Sequence, residues 1–168
     1  MSIRFKASDV RPMGRPAVGV RGIRLKDGDK VCGMAVVSEG ASLLTVCRNG
    51  YGKRTDFAEY PQQGRGGLGV INIRSTERNG PVVTLRAVHD EDDILYISAN
   101  GNVVRTPAAE ISKIGRGTQG VRLVTLAEGD AVASATRVDK EEGGDGSPEG
   151  DGTPGPEGGT PDADPAAG

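Results

Sequence analysis

The sequence predicts an all-β fold, about two and a half four-stranded blades of a propeller-like repeat, followed by a disordered tail. Three observations predict it. A glycine-arginine box is written three times, as Gly14-Arg15-Pro16-Ala17-Val18-Gly19-Val20, Gly64-Arg65-Gly66-Gly67-Leu68-Gly69-Val70 and Gly115-Arg116-Gly117-Thr118-Gln119-Gly120-Val121. The box arginines lie 50 and 51 residues apart, and Arg4, Arg54 and Arg105 keep the same beat, each 11 residues earlier. A period of about 40 to 50 residues marks one supersecondary unit per repeat. Between the boxes, short β-rich runs alternate with Gly, Asn and Asp, and no segment shows a sustained helical period.

The expected strands are 17–25, 31–37, 43–47, 51–55, 68–73, 81–88, 94–98, 102–106, 120–126 and 131–138, each an apolar or β-branched run between turn residues. Asn49-Gly50 and Asn100-Gly101 separate paired runs. Asn-Gly supplies the two positive φ angles of a type I′ turn, so each is expected to close a tight hairpin. Gly28-Asp29, Asn79-Gly80 and Gly129-Asp130 mark the other reversals. Four strands in about 50 residues is the size of a propeller blade. Aligning the units on Arg4, Arg54 and Arg105 sets Met1 opposite Tyr51 and Asn102, one residue after each hairpin glycine. The first strand of the first unit is therefore missing. The sequence is expected to be a fragment, or to take that strand from a partner or from its own closure.

Charge divides the chain. Residues 1–138 carry 20 Lys and Arg against 14 Asp and Glu, a net of +6, while residues 139–168 carry one Lys against nine acids, a net of −8. A basic body with an acidic tail fits a nucleic-acid binder. The tail holds nine Gly, five Pro and no aromatic residue, too little apolar surface to offset its ordering entropy. The two domains expected are therefore 1–138, the blades, and 139–168, the tail.

The boxes are the candidate binding site. A glycine-rich loop with exposed N–H groups and an arginine can hold a phosphate. Three copies in register would align Arg15, Arg65 and Arg116 along one rim, which suits a curved polyanion better than a small ligand. Arg54, Arg105, Arg4, Lys53 and Arg21 complete the expected DNA-binding set. A blade-crossing loop with a structural arginine is the competing account of a single box. No recognition helix, zinc finger or aromatic platform is present, so the expected mode is phosphate contact with bending.

Other chemistries find no support. Cys32 and Cys47 form no CxxC pair and no metal set with the lone His89, and both lie in apolar runs that predict buried, reduced thiols. His89 sits in the acidic stretch His89-Asp90-Glu91-Asp92-Asp93, which lacks the ligand spacing of a calcium loop. There is no phosphate-binding lysine loop, no secretory signal and no apolar run of about 18 residues. A cytoplasmic protein is expected.

At the strings Gly19-Val20-Arg21-Gly22-Ile23-Arg24-Leu25, Asn49-Gly50-Tyr51-Gly52-Lys53-Arg54-Thr55, Glu59-Tyr60-Pro61, Thr76-Glu77-Arg78-Asn79-Gly80 and Val104-Arg105-Thr106, together with the boxes, the chain resembles the C-terminal domain of bacterial DNA gyrase A. The resemblance covers about residues 1–138 and implies the last blades of a six-bladed β-pinwheel, in which neighbouring blades exchange strands. It implies non-specific duplex binding and wrapping on a basic rim, as part of negative supercoiling by a type II topoisomerase. The implied partners are double-stranded DNA, the remainder of gyrase A and gyrase B, with no membrane. The family's hallmark QRRGGKG belongs to an earlier blade that this chain is expected to lack; Gln63-Gly64-Arg65-Gly66-Gly67-Leu68-Gly69 is a degenerate relative, with Gly64 for Arg and Leu68 for Lys, and so a secondary anchor on this resemblance. The breakage-reunion and ATPase parts are also absent. The chain is thus expected to be no enzyme by itself and to bind no cofactor, with ATP and magnesium left to the holoenzyme. The alternatives are the related C-terminal domain of topoisomerase IV, a protein-interaction propeller fragment, and an inert remnant.

The tail, tethered to a body of opposite charge, competes with DNA at high effective concentration on this account. Truncation after Val138 is expected to tighten DNA binding in a direct titration. An unchanged affinity would leave the tail as a solubiliser.

Overall fold

The computed structural model of the chain describes residues 1–138; the expected disorder of 139–168 concerns residues outside that span. The described part is antiparallel β-structure with three single-turn 3-10 helices.

The second unit shows the local logic in full. Ser42–Cys47 (β1) is buried along its whole length, as its apolar SLLTVC sequence requires. It pairs on one side with Tyr51–Asp56 (β2) and on the other with Val82–Val88 (β3). The third unit repeats the plan, with Asp93–Ser98 (β4) between Val103–Pro107 (β5) and Val132–Val138 (β7). The fourth strand of the second blade is borrowed. Val121–Arg122 (β6), at the end of the third box, pairs with β2 through Tyr51↔Arg122 and Gly52↔Val121. One unit earlier, Ser2 and Val70 form the same antiparallel bridge. The sheets therefore run β3-β1-β2-β6 and β5-β4-β7, and each box hands its strand to the preceding unit.

That crossing needs glycine. Gly120 has φ +79°, and a Cβ there would stand 2.5 Å from the carbonyl oxygen of Gly52. Gly69 has φ +70°, and its Cβ would collide with the Ser2 carbonyl. The core is aliphatic and continuous between the two sheets, with Leu44 and Val46 of β1 and Val88 of β3 packed in one cluster with Ile94 and Tyr96 of β4 and Val132 of β7.

The all-β expectation holds, and several elements differ in detail. Segments 17–25 and 31–37 are not strands. The second box holds 21–24 on one side, but residues 17–20 have no antiparallel neighbour. Segment 31–37 corresponds to β3 and β7, which pair with β1 and β4, and it has no such partner strand among the described residues. The expected strand 68–73 is reduced to its bridge at Val70, and 120–126 to β6, because the glycine crossing limits the contact. The hairpin turns are not type I′, since no residue other than glycine has positive φ. The Gly50 N–H donates to the Cys47 carbonyl at 3.2 Å with Gly50 at φ +80°. This is the three-residue loop that ends on a left-handed glycine. It leaves the Arg48 and Asn49 N–H groups free to donate to Pro81 and Asn79. The 3-10 turns Ala7–Asp9, Phe57–Glu59 and Ala108–Glu110 fall at one position of each repeat. Cys32 is exposed, and Cys47 alone is buried.

Two of the three glycines of the third box, Gly117 and Gly120, give an internal control. Gly117 has no atom within 4 Å of an added Cβ and no positive φ. Replacing Gly120 by Ala should cost on the order of 3 kcal/mol of unfolding free energy, from backbone strain and overpacking. Gly117→Ala should stay within about 0.5 kcal/mol. Urea denaturation of the two variants checks this.

Candidate nucleic-acid interface

The arginines on the beat face inward between units. Arg54 is 3% exposed. Its Nε donates to the Ile111 carbonyl at 2.9 Å, its Nη2 to Ala109 at 3.5 Å, and its Nη1 pairs with Asp90. One unit earlier, Arg4 Nη1 donates to the carbonyls of Phe57 at 2.8 Å and Tyr60 at 3.3 Å. Each guanidinium thus clamps carbonyls of the 3-10 turn of the next unit, including the one just past its end, Tyr60 for Arg4 and Ile111 for Arg54. Lys53 is fully buried, and its Nζ donates to the carbonyls of Gly115 at 2.7 Å and Arg116 at 3.1 Å. The sequence pattern offers Lys53 and Arg54 to a polyanion; in the structure their donors are spent on protein carbonyls instead. Arg105, the third on the beat, meets no such turn among the described residues. It pairs with Asp93, Nε to Oδ2 at 2.7 Å, and stays about half exposed.

The box arginines are placed differently. Arg15 is exposed, and its side chain makes no hydrogen bond or ion pair among the described residues. Arg65 is also exposed, and it reaches back to the carbonyls of Asp9 at 3.1 Å and Arg21 at 3.3 Å. Arg116 is half-buried and donates to the Ile71 carbonyl at 3.2 Å, with its guanidinium carbon 6.0 Å from the centre of the Tyr60 ring. Arg21 and Ile71 occupy the same place after their boxes, so one contact recurs in register. Backbone bonds recur with it: the Arg24 N–H donates to Gly67 and the Arg74 N–H to Thr118, both at 2.8 Å. Successive boxes therefore lie side by side. The Gly66 N–H is used on the Gly22 carbonyl at 2.6 Å and is not open to an anion. Among the described residues none of Arg15, Arg65, Arg116 and Arg21 pairs with a carboxylate. They therefore form no ion pair that a bound anion would have to displace.

One cationic group is not announced by the sequence pattern. Arg78 lies over the Tyr51 ring at 4.7 Å and Arg122 at 5.5 Å, and Arg122 Nη2 donates to the phenol oxygen at 3.0 Å. Hydrogen bonding from Arg78 and then Arg122 holds the Tyr51 phenol below its usual pKa. Both arginines are exposed. The signal is partial: Arg122 flanks a box, but Arg78 sits in a turn whose approach to Tyr51 no local pattern reveals.

No catalytic arrangement is present among the described residues. No three His, Cys, Asp or Glu side chains converge as metal ligands. His89 contacts the Glu39 carbonyl and Asp92, while Asp90 bridges Arg54 and Lys113. Burial pushes the Cys47 thiol up to about 11, which leaves it inert. No helix is long and apolar enough to cross a membrane among the described residues.

Lys53 gives the site a measurable pH signature. Burial, reinforced by the Arg116 charge, lowers its pKa from 10.5 to about 8. Below about 8 the ammonium is charged in both the folded and unfolded states, and its burial cost is fully present. Between about 8 and 10.5 the unfolded chain holds the proton that the folded chain has lost, so rising pH relieves that cost. The stability of the natural protein relative to Lys53→Met should therefore increase from pH 7 to pH 10. Paired urea titrations measure the difference; a decrease would contradict the burial of a charged Lys53.

The three units also match known proteins. A family model for the DNA gyrase C-terminal domain, a beta-propeller, matches residues 1–38, 41–89 and 92–139, one match per unit. The chain is 51% identical over 136 residues to the gyrase A protein of Escherichia coli (strain K12), an alignment that covers 81% of this chain and 16% of that protein. Its fold is similar to a solved DNA gyrase A C-terminal domain, with a TM-score of 0.73 and 34% identity over 79% of this chain and 45% of the other. A solved C-terminal domain of DNA topoisomerase IV shares the fold, with a TM-score of 0.74 and 23% identity over 80% and 42%. With a match in each unit and the fold in common, the chain belongs to the DNA gyrase C-terminal domain family.

Proposed function

We propose that the chain binds duplex DNA without sequence preference and bends or wraps it along the edge where the boxes lie side by side. The observation that carries this reading is the recurring box. Three arginines stand at one repeat position, adjacent boxes are tied together, and no carboxylate neutralises them among the described residues. Arg15, Arg65, Arg116 and Arg21 make the phosphate contacts. Arg78 and Arg122, held on Tyr51, extend the track. Arg4, Arg54 and Lys53 act by holding the blades together, and Arg105 contributes through its exposed face. Affinity comes from phosphate neutralisation and the shape of the rim, since nothing on this edge resembles a base-reading element.

Within a gyrase-type enzyme this domain would hold the DNA segment presented for strand passage. DNA cleavage, ATP and magnesium would belong to the rest of gyrase A and to gyrase B. The chain spans 16% of the curated relative, so that assembly is part of the proposal. A topoisomerase IV-type role, in which DNA is bent without chiral wrapping, is the second reading. A solved topoisomerase IV C-terminal domain shares the fold, while the glycine-arginine box remnant and the acidic tail favour the gyrase role. Relaxation of nicked plasmid by ligation in the presence of the protein separates the two: wrapping leaves a linking-number change, bending does not.

Binding should weaken steeply with salt, each neutralised phosphate adding about −0.9 to the slope of log affinity against log salt. Arg15→Ala with Arg65→Ala should reduce the magnitude of that slope by about 2. Fluorescence anisotropy on a labelled duplex at several salt concentrations reads the slope, and an affinity independent of salt would end the phosphate account.

A further inference from the structure

Arg78, Tyr51 and Arg122 meet from three segments, each fixed by its own backbone contacts. Tyr51 opens β2, Arg122 ends β6, and the two stand directly opposite across the strand pair. Arg78 lies in the turn 76–80, which the Gly80 N–H closes on the Thr76 carbonyl at 2.8 Å. The buried Asn79 accepts from the Thr76 N–H at 2.7 Å and donates to the Arg74 carbonyl at 3.0 Å. It also donates to the Gln119 carbonyl of the third box at 2.9 Å, so the turn is tied to the strand that carries Arg122. Asn49 of the hairpin donates to the carbonyls of Glu77 at 2.9 Å and Arg78 at 3.3 Å. The stack does not repeat. Tyr51 stands four residues after Cys47, and Arg78 four before Val82, the partner of Cys47. The same places around the Ser98↔Val132 pair of the third unit hold Asn102 and Glu128, without a ring or a cation. The third unit thus builds the same sheet plan without this contact. Gathering two like charges on one ring is unfavourable in itself, so the stack calls for a role other than packing.

We propose that Tyr51 is the positioning residue of a preformed phosphate clamp, holding Arg78 and Arg122 ready for one backbone phosphate of duplex DNA where the second and third units meet. The clamp rests on the DNA-binding reading and adds a fixed point to it. The boxes offer equivalent contacts at successive units, whereas a contact made once sets where along the edge the duplex seats. Each guanidinium carries five N–H donors, and among the described residues neither meets a carboxylate. The phenol oxygen takes one donor of Arg122 at 3.0 Å. An arginine already ordered on a ring loses less side-chain freedom when it binds, which is the gain from holding it there. The phenol also reports occupancy. Arg78 and Arg122 are the charged groups that face it, and their hydrogen bonds hold its pKa below the ordinary value. A phosphate that draws those donors away removes the support of the phenolate and brings in negative charge, so binding raises the phenol pKa. By reciprocity, affinity for DNA falls as pH rises through the phenol titration.

The test follows the tyrosine Cζ signals of the full-length chain by carbon-13 NMR as pH rises, with Tyr51→Phe assigning the signal. The chain has three tyrosines, and burial holds the Tyr60 and Tyr96 phenols up, so Tyr51 titrates first. A saturating short duplex should move the Tyr51 midpoint upward. In Arg78→Ala with Arg122→Ala the midpoint should start higher and stay where it is when duplex is added. Tyr51→Leu should lower DNA affinity about fivefold with the salt slope unchanged, since both cations remain and only their placement is lost. Tyr51→Phe, which keeps the ring, should lose less, and urea denaturation checks that each variant is folded. A midpoint left in place by a duplex that anisotropy shows to be bound would overturn the clamp and leave the DNA-binding reading standing. Absence of duplex binding by anisotropy would overturn the reading on which the clamp rests. An equal upward movement with inorganic phosphate, at the same concentration of phosphate groups, would overturn the choice of a duplex phosphate and assign the site to the free ion.

Discussion

The backbone crossing at Gly69 and Gly120, where each box passes its strand to the preceding unit, is the constraint on which the rest of the structure depends. A positive φ turns the chain, and the missing side chain lets two strands approach at a distance no Cβ would tolerate. Once a unit has given its strand away, its own sheet is complete only through its neighbour. Stability therefore lies between units as much as within them. The beat arginines follow from the same geometry. The strand that receives the box also carries the guanidinium that grips the neighbour's 3-10 turn, so hydrogen bonds of the sheet and of the clamp form together.

This arrangement sorts the positive charge into two populations. Arg54 and Lys53 are interior, hydrogen-bonded to carbonyls, and costly to leave unpaired. Arg15, Arg65 and Arg21 are exposed and without carboxylates, and Arg78 and Arg122 are stacked on Tyr51 in solvent. Net charge alone does not distinguish the two, because both count toward the +6 of residues 1–138. Arg116 stands between them, half-buried against Tyr60, with its Nε buried and unpartnered. Its place beside the buried Lys53 of β2 sets two cations close together, part of why the Lys53 pKa falls.

Much of the fold is legible in the sequence because repeats expose their own register. The spacing of Arg15, Arg65 and Arg116 marks the units, and the Asn-Gly pairs mark the hairpins. Strand exchange is not legible from local pattern. Segments 17–25 and 31–37 have strand composition, but a strand exists only where a neighbour pairs with it, and among the described residues these segments have none. The site is half legible for a related reason. Arg4, Arg54 and Arg105 visibly repeat, yet repetition serves packing as readily as binding. Only the carbonyls of the next unit's turn, more than 50 residues away, show which it is. The Arg78–Tyr51–Arg122 stack depends on two long-range approaches and leaves no trace in the local sequence.

The division of arginines is tested most directly by measuring both stability and DNA affinity for two single variants, Arg54→Met and Arg15→Ala. Arg54→Met should lose about 3 kcal/mol in urea, since it removes a buried clamp and takes the donor from the Ile111 carbonyl. Under conditions where it remains folded, its salt slope for DNA should equal that of the natural protein. Arg15→Ala should leave stability within about 0.5 kcal/mol and lower the slope by about 1. The reverse pattern, an undisturbed fold with a lost phosphate contact at Arg54 and a damaged fold at Arg15, would contradict the account.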